Sequence, residues 1–515
     1  MKNSIKTLSV LLALLAGLAL PLASCGKKQP QKNPGDSDTQ DGTGETVSEN
    51  LGTDEWGQDI IESTIPDTLN FGGNEEVKFL VIDSNNFNRE YYAEEITDSL
   101  SREVYNRNAS IEKQLGVMLS FSKAIANMGD QYASYNLKIT NAGNSGLGEF
   151  DVISNTAGYG TVPALISFYL NFYDPQLKYF DFEKPWWNQY YQQAAEVMGK
   201  TYFMVSDTNL SVFDRIIAIY FNHNLCRSYD IEPEDLYQLV FDKKWTYERL
   251  YELCSEIYED RNNDGLKDDQ DFLGLIGLYE SESHEGFLYS FDLHLIETNE
   301  DGMHYVVNDT GELAKLDSAM TMVQNLFQAK GALTTKGTEN NMRIFVEKRA
   351  VFNMDVLYHY AETNALLRNL DDVYGVLPLP MYDENQADYY SGVQDMHNVM
   401  SLMNHGYMNY EAVSAVLELM AQKSYENVRP YYYEKIVKLR YTSDSTSAKV
   451  FDILLGSTRW DFADVYSRTI GGPRYILWRG VFQQNKSFMT IYQQNVEALD
   501  KKLTDFDMNV LTSLG

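Results

Sequence analysis

The chain has 515 residues, of which 44% are hydrophobic, and its formal net charge at pH 7 is −32. This length allows two or three domains, and the apolar content supports a sizeable core and excludes wholesale disorder. The strong negative charge repels nucleic acid and anionic lipid surfaces and favours a monomer, so we expect no nucleic-acid partner.

The first 25 residues have the layout of a secretory signal peptide. Lys2 and Lys6 form a short basic end, and residues 8–20 are almost wholly apolar but too few to span a membrane. The Leu-Ala-Ser-Cys25 ending resembles the lipobox of bacterial lipoproteins. The resemblance implies that residues 1–24 are removed and that Cys25 is acylated, which would anchor an extracytoplasmic protein to the cell membrane. The alternative is an ordinary signal peptide in which the cysteine has no such role.

Residues 25–55 are predicted to be a disordered tether. They are rich in Gly, Asp, Ser, Thr, Gln and Lys and contain hardly any apolar residue, so they cannot bury enough surface to fold. The globular part is expected to begin between Trp56 and Asn70. No later segment has 18 consecutive apolar residues, so no further membrane span is predicted.

Beyond the tether, predicted strands and helices alternate. Apolar, β-branched runs predict strands over 76–82, 117–121, 150–154, 216–221, 350–354 and 374–380. Apolar residues at helical spacing predict amphipathic helices near 100–115, 409–420 and 488–503. This alternation predicts an α/β architecture with largely parallel sheets.

Five ordered blocks carry a family resemblance. They are the strand 219–225 (IYFNHNL), the helix start 245–250 (WTYERL) with Thr246 as the expected N-cap, the element 345–354, the strand 374–380 (YGVLPLP) and the segment 403–420. The order and spacing resemble the family-1 extracellular solute-binding proteins of ATP-driven carbohydrate importers. One departure is Glu347-Lys348-Arg349-Ala350, which stands where the family usually has a glycine.

The resemblance implies a two-lobed, type II periplasmic-binding-protein-like α/β fold with a cleft between the lobes. The implied lobes are 71–215 with 396–440, and 216–395 with 441–515. The implied function is to capture a carbohydrate, an oligosaccharide in particular, and to deliver it to the permease subunits of an ABC importer. The same fold could instead bind a non-sugar solute, or capture or sense without transport. An enzyme acting on glycans is disfavoured, because no catalytic motif is recognisable and no catalytic cofactor is predicted.

The acidic segment 260–271 fits the pattern of a calcium-binding loop. The predicted ligands are Asp260, Asn262, Asp264, Leu266, Asp268 and Asp271, and Gly265 permits the sharp curve that calcium coordination needs. Asp271 replaces the usual glutamate at position 12, and a strand pattern follows instead of a second helix. We therefore predict a structural helix–loop–strand site, the alternative being an acidic turn without a metal ion.

Candidate ligand contacts follow the predicted strands, because ligands in open α/β sheets lie beyond the carboxyl ends of strands. These candidates are Asp83, Asn85, Asn155, Thr156, Tyr159, Asp207, Asp355 and Tyr358. Carboxylates and amides suit the hydroxyl edges of sugars.

Aromatic rings suit the apolar faces of sugars, and the ring candidates are Trp186, Trp187, Tyr475 and Trp478. Trp478 stands where the family resemblance often implies a stacking ring. Arg474 follows two glycines and a proline and could bind either a ligand carboxylate or an internal acid.

Cys226 and Cys254 are the only cysteines after Cys25. An exported protein can form a disulfide between them. Cys254, however, lies on the apolar stripe of a predicted helix, where a free buried cysteine acts as a small hydrophobe. Both possibilities stay open from the sequence.

Overall fold

The structure is a computed structural model that describes residues 52–83, 88–93, 98–126, 129–278, 282–336, 338–357, 366–438 and 444–512. The signal peptide, Cys25 and most of the tether lie outside the described residues, and those predictions therefore stay predictions. Thr53, near the end of the predicted tether, pairs with Asp59 in a β-bridge. Folded structure is thus present a few residues before the expected Trp56, within the predicted tether.

The strands are short and widely distributed along the chain. In chain order they are β1 (Glu75–Ile82), β2 (Val117–Ala124), β3 (Val152–Thr156), β4 (Tyr169–Leu170), β5 (Ile217–Asn222), β6 (Tyr258–Glu259), β7 (Phe272–Leu278), β8 (Ile296–Thr298), β9 (His304–Val306), β10 (Ala332–Thr335), β11 (Ala350–Val356), β12 (Tyr374–Leu377), β13 (Ser391–Gly392), β14 (Asn398–Met403) and β15 (Thr458–Arg459).

Helices follow most of these strands. They are α1 (Asn88–Tyr91), α2 (Ser99–Leu115), α3 (Gly129–Ser145), α4 (Ala157–Gly160), α5 (Pro163–Ile166), α6 (Gln189–Ala195), α7 (Ser211–Asp214), α8 (His223–Ser228), α9 (Pro233–Phe241), α10 (Tyr247–Cys254), α11 (Glu282–Ser290), α12 (Thr310–Gln328), α13 (Thr338–Val346), α14 (Tyr410–Lys423), α15 (Arg429–Tyr431), α16 (Ser445–Gly456), α17 (Phe462–Val465), α18 (Gly480–Gln484) and α19 (Phe488–Thr512). Wider π-type turns occur at Ser424–Val428, Tyr432–Val437 and Arg474–Arg479.

Two large sheets organise the fold. The first has the strand order β2-β1-β3-β14-β4, and the second has the order β10-β7-β11-β5-β12, with β6 beside β7. The strands of each sheet thus come from separate stretches of the chain. The lobe boundaries proposed from the sequence stay a prediction, although the strands of the two sheets fall within them.

Both sheets are mixed, whereas the sequence predicted largely parallel ones. In the first sheet β1 runs parallel to β2 and β3, but β14 is antiparallel to β3 and β4. In the second sheet β7 runs parallel to β10 and β11, but β5 is antiparallel to β11 and β12. The antiparallel strands β5 and β14 arrive from the other sheet. They are therefore free of the helical crossover that joins parallel neighbours within one sheet.

The core follows the period of two along β1. Leu80 and Ile82 belong to the larger apolar cluster, while Phe79 and Val81 pack into a second cluster with apolar residues of α2 and α14. The first sheet is thus covered on both faces, which explains why its sequence is nearly continuously apolar. Among the described residues, no helix combines the length and apolar character needed to span a bilayer.

The two segments that pass between the sheets lie side by side. Ile216 pairs with Val393 in an isolated bridge, and the backbone N–H of Gln394 donates to the carbonyl of Arg215 at 2.9 Å. Nearby, the buried carboxylate of Glu90 accepts hydrogen bonds from the backbone N–H of Ser211 and from Asn398 Nδ2. Glu90 therefore forms hydrogen bonds with both of the segments that connect the two sheets.

The predicted cap of α10 is confirmed, because Thr246 accepts a hydrogen bond from the backbone N–H of Arg249. At the predicted start of α14, Asn409 is the cap and accepts a hydrogen bond from the backbone N–H of Ala412. Cys226 and Cys254 are both buried and free. Burial raises the pKa of the Cys226 thiol to about 12, which makes it unreactive near neutral pH.

Candidate functional site

A cavity of about 370 Å³ lies between elements that follow strands of both sheets. Helix α4, which follows β3 of the first sheet, lies on one side of the cavity. Helix α11, which follows β7 of the second sheet, lies on the other side. Its lining comprises Gly158, Thr161, Glu285, Asp395, Asp464, Ser467, Arg468, Gly471, Gly472, Arg474, Tyr475 and Arg479. The cavity thus occupies the carboxyl-terminal edge of strands, where ligands bind in open α/β sheets.

Arg474 is the centre of the charged wall of this cavity. Its Nε lies 3.0 Å from Glu285 Oε2, and its Nη1 forms an ion pair with Asp464 and donates to the Tyr289 hydroxyl at 2.6 Å. Arg479 Nη2 lies 2.8 Å from the other oxygen of Glu285. The sequence left open whether Arg474 binds a ligand carboxylate or an internal acid, and in the structure it binds two internal acids.

The pairing fixes the charge of Arg474. Burial by itself would lower the pKa of Arg474, but Asp464 and Glu285 outweigh it and hold that pKa well above its ordinary value. Burial raises the pKa of Glu285, and the charges of Arg474 and Arg479 offset part of the rise. Arg474 is therefore permanently cationic, and it forms ion pairs with the protein's own carboxylates.

Asp395 enters the cavity beside the start of α4. The backbone N–H of Gly158 donates to the Asp395 carbonyl at 2.7 Å. A Cβ placed on Gly158 would lie 2.5 Å from Asp395 Oδ2, too close for any side chain. Glycine at position 158 therefore lets the Asp395 carboxylate approach the helix and line the cavity.

Tyr475 supplies an accessible aromatic ring. Its side chain is 51% exposed, although it lines the cavity, and the guanidinium of Arg479 lies 5.0 Å from its ring centroid. The Tyr475 ring and the Asp395 carboxylate, which line the same cavity, offer it both an apolar face and a hydrogen-bond acceptor. This combination suits a polyhydroxylated ring, whose edges donate hydrogen bonds and whose faces present C–H groups.

Tyr159 lies at the edge of the site but presents no open face. Its ring stacks on Tyr132 with a centroid distance of 4.0 Å, and the Arg468 guanidinium lies 4.1 Å from the same ring. Two groups at such distances must occupy opposite faces. Tyr159 therefore positions Arg468, which lines the cavity, and does not itself stack on a ligand.

Asn155 and Thr156 lie just beneath α4 and hold it in place. Asn155 Nδ2 donates to Asn136 Oδ1 at 2.9 Å, and both Asn155 and Thr156 are almost fully buried. Their predicted position at the carboxyl end of a strand is observed, but neither lines the cavity.

Three predicted acids lie away from the cavity. Asp207 forms an ion pair with Arg429 at 2.9 Å, and Asp355 is buried and accepts a hydrogen bond from Asn341. Asp83 continues β1, where its backbone N–H donates to the carbonyl of Ala124. Asn85 and Tyr358 lie outside the described residues.

The tryptophan predictions are contradicted by burial. Trp186 and Trp187 are each 1% exposed, and their indole N–H groups donate to the two oxygens of Glu418 at 2.8 and 2.9 Å. Trp478 is fully buried and donates to the carbonyl of His284. None of these rings has a face available to a ligand, because each packs in the core.

The segment Asp260–Asp271 forms a hairpin loop, not the predicted helix–loop–strand unit. β6 precedes it and pairs antiparallel with β7, which follows. Asp260 accepts hydrogen bonds from the backbone N–H groups of Asn263 and Gly265, and the fully buried Asp271 accepts three. Among the described residues no cluster of three or more His, Cys, Asp or Glu side chains is arranged to hold a metal ion. Calcium binding by this loop stays a prediction.

Other predicted loop ligands are also engaged within the loop. Asp264 accepts from Leu266 N–H and Asn262 Nδ2, Asp268 accepts from Gln270 N–H, and the Leu266 carbonyl accepts from the Tyr258 hydroxyl. Gly265 adopts a φ of 75°, so the predicted curve at this residue is observed.

The sequence missed Asp395, Glu285, Asp464 and Arg468 as cavity residues. Glu285 and Asp464 are separated by almost 180 residues along the chain, and no local pattern links them. One signal was available: the glycine pair before Pro473, which frees the backbone near Arg474 and Tyr475. Gly471 and Gly472 both adopt positive φ, and both line the cavity.

No family model matches the chain, and no curated protein matches it. Solved structures do match its fold. The sugar-binding protein MalE from Xanthomonas citri superposes with a TM-score of 0.55 at 13% identity, over 85% of this chain and 100% of that one. A solute-binding protein of an ABC transporter from Thermotoga lettingae, bound to α-D-tagatose, gives 0.50 at 10% identity over 84% and 100%.

UspC from M. tuberculosis also matches, with a TM-score of 0.50 at 12% identity over 83% of this chain and 100% of that chain. These identities are low, so the matches concern the fold. They confirm the predicted two-lobed α/β architecture of the periplasmic-binding-protein type.

Proposed function

We propose that this chain, which has the fold of the ABC-transporter solute-binding proteins, is an extracytoplasmic receptor that binds a carbohydrate in the cavity between its two sheets. The observation that carries the proposal is that the half-exposed Tyr475 ring and the Asp395 carboxylate line the same cavity. The ring would stack on a sugar face, and Asp395 would accept hydrogen bonds from its hydroxyl groups.

The charge balance of the cavity supports an uncharged sugar ring at this position. Three arginines and three carboxylates line it, and Arg474 is already neutralised by Glu285 and Asp464.

Isothermal titration calorimetry against mono- and oligosaccharides tests the proposal. We expect one glycan class to bind, and Tyr475→Ala to weaken binding about tenfold, or about 1.4 kcal/mol. Tyr407→Ala is the matched control, because Tyr407 is 70% exposed and does not line the cavity. If no carbohydrate binds but another polar solute does, the proposed carbohydrate ligand is wrong and that solute is the ligand.

Delivery of the bound solute to ABC permease subunits, and anchoring through an acylated Cys25, complete the proposal. Their support is the ordered sequence blocks and the Leu-Ala-Ser-Cys25 ending. Loss of labelled-sugar uptake in cells lacking the chain would support transport. Retained uptake would favour capture or sensing without transport. Radiolabelled palmitate should be incorporated into the wild type and not into Cys25→Ser.

A structural calcium ion in the Asp260–Asp271 loop is a separate proposal. Its support is the spacing of oxygen-bearing residues and the observed turn at Gly265. Calcium should raise the unfolding temperature of the wild type and not of Asp264→Ala. If calcium changes the unfolding temperature of both proteins equally, this loop is not a calcium-binding site.

A further inference from the structure

A second cavity of about 440 Å³ lies next to the proposed sugar site. Arg468 and Gly471 line both cavities, so the two spaces adjoin. The far wall of the second cavity is one face of α19, with Lys502, Asn509 and the apolar Phe506. The two cavities therefore share part of their walls, and a ligand in the first lies close to the second.

The charged groups of the second cavity differ from those of the first. Arg468 and Lys502 supply two positive charges, and Asp505 is the one acid among the lining residues. Neither Arg468 nor Lys502 forms an ion pair with a described residue, in contrast to Arg474. An excess of positive charge facing a cavity stands out in a chain whose net charge is −32.

Both cations lie at or next to residues that the two cavities share. The guanidinium of Arg468 lies 4.1 Å from the centroid of the Tyr159 ring, whose other face is fixed by Tyr132. Lys502 lies across Gly471, where a Cβ would clash with its Nζ and Cδ atoms. Gly471 has a φ of 89°, so the backbone conformation and the space for Lys502 both require glycine. The fold thus places two cations at the junction of the cavities.

We propose that the second cavity is a subsite for the carboxylate of an acidic sugar unit, which Arg468 and Lys502 contact. The inference rests on the proposed carbohydrate function and specifies its substrate class as an oligosaccharide that contains a uronic acid. The planar guanidinium of Arg468 matches a carboxylate through two parallel hydrogen bonds, and Lys502 adds a second charge. Phe506 and Val510 offer apolar surface to the C–H groups of the same sugar unit.

The direct test compares each acidic sugar with its own uncharged form. Di- and trisaccharides of galacturonic, glucuronic and mannuronic acid are titrated into the purified protein, each beside its methyl ester. We expect at least one acid to bind about tenfold more tightly than its ester. That preference should shrink as salt rises from about 50 to 500 mM, because screening weakens the charge–charge contact.

Variants of α19 assign the preference to the cavity. Lys502→Gln should reduce the acid-over-ester preference severalfold, whereas Lys502→Arg should retain it. Lys501→Gln is the matched control, since it removes the same charge from the adjacent exposed position outside the cavity. Lys502 is itself exposed, so all three variants should fold, and equal unfolding temperatures would verify this.

The outcomes separate the two proposals. Equal binding of acid and ester, or an acid preference unchanged in Lys502→Gln, would overturn the acidic subsite. Neutral oligosaccharides that bind through Tyr475 would in that case still support the carbohydrate receptor. Absence of binding by every acidic and neutral carbohydrate would overturn both.

Discussion

Two buried carboxylates, Glu285 and Glu418, are stabilised in opposite ways. Glu285 lies in the cavity wall and is paired with the cations Arg474 and Arg479. Glu418 lies on α14, away from the cavity, and accepts hydrogen bonds from the neutral indoles of Trp186 and Trp187. Positively charged guanidinium groups thus stabilise Glu285, whereas neutral N–H dipoles stabilise Glu418.

The difference appears in the pKa values. Burial raises the pKa of Glu418 to about 7, although the indole groups of Trp187 and Trp186 oppose the rise. Burial also raises the pKa of Glu285, but two arginines offset part of it. Neutral donors therefore leave Glu418 as a carboxylate that takes up a proton near neutral pH. In the cavity wall, burial also raises the pKa of Asp464 to about 7, although the charge of Arg474 opposes the rise.

Removal of the central cation should have the largest effect. Arg474→Ala leaves Glu285 and Asp464 buried without their shared partner, and we expect a loss of about 3–5 kcal/mol in the free energy of unfolding. Urea denaturation measures this loss. The exposed variant Lys501→Ala should change stability by less than about 0.5 kcal/mol. A loss for Arg474→Ala as small as that of the control would contradict the central role of this arginine.

Glu418→Gln should have a smaller effect. At pH 5 the Glu418 carboxyl group is protonated, but its hydroxyl oxygen can still accept a hydrogen bond. The NH₂ group of glutamine cannot accept one, so one of the two indole N–H groups would lose its hydrogen bond. We expect a cost of about 1–2 kcal/mol at pH 5. Denaturation of both proteins at that pH measures it, and a variant as stable as the wild type would show that the indole contacts add nothing.

The same variant should reveal a pH dependence. The folded-state pKa of Glu418, about 7, exceeds its ordinary value of 4.5, so the folded state binds more protons between these values. Wild-type stability should therefore fall as pH rises from about 5 to 7 and level off above 8. Glutamine does not titrate, so the cost of Glu418→Gln should be larger at pH 5 than at pH 8. A cost independent of pH would contradict the raised pKa.

Glu90 provides an internal comparison for that experiment. Burial raises its pKa to about 7 as well, and it fastens the two segments that pass between the sheets. Its contribution to the pH dependence has the same sign as that of Glu418. Glu418→Gln should therefore reduce the wild-type slope without abolishing it.

The strands and helices could be predicted because their signals are local. Apolar runs marked β1, β5, β11 and β12, a side-chain cap marked the start of α10, and apolar residues at helical spacing marked α14. The direction of β5 and β14 could not be read, since it depends on which sheet each strand enters.

The site was harder to predict than the fold, because it depends on burial. A tryptophan pair after a proline is typical of an exposed loop. In the structure both indoles are buried and donate hydrogen bonds to Glu418, which lies more than 200 residues away in the sequence. Tyr475 and Trp478 are three residues apart, but one is 51% exposed and the other is fully buried. Only the packing of the Arg474–Arg479 turn against α11 and α19 decides between them.

A crystal structure with the tightest-binding carbohydrate tests the central claim most directly. We expect a sugar ring against Tyr475, with hydroxyl groups within hydrogen-bond distance of Asp395 and with Arg474 still paired to Glu285. A carbohydrate bound elsewhere on the protein, with the cavity beside Tyr475 filled only by water, would contradict it.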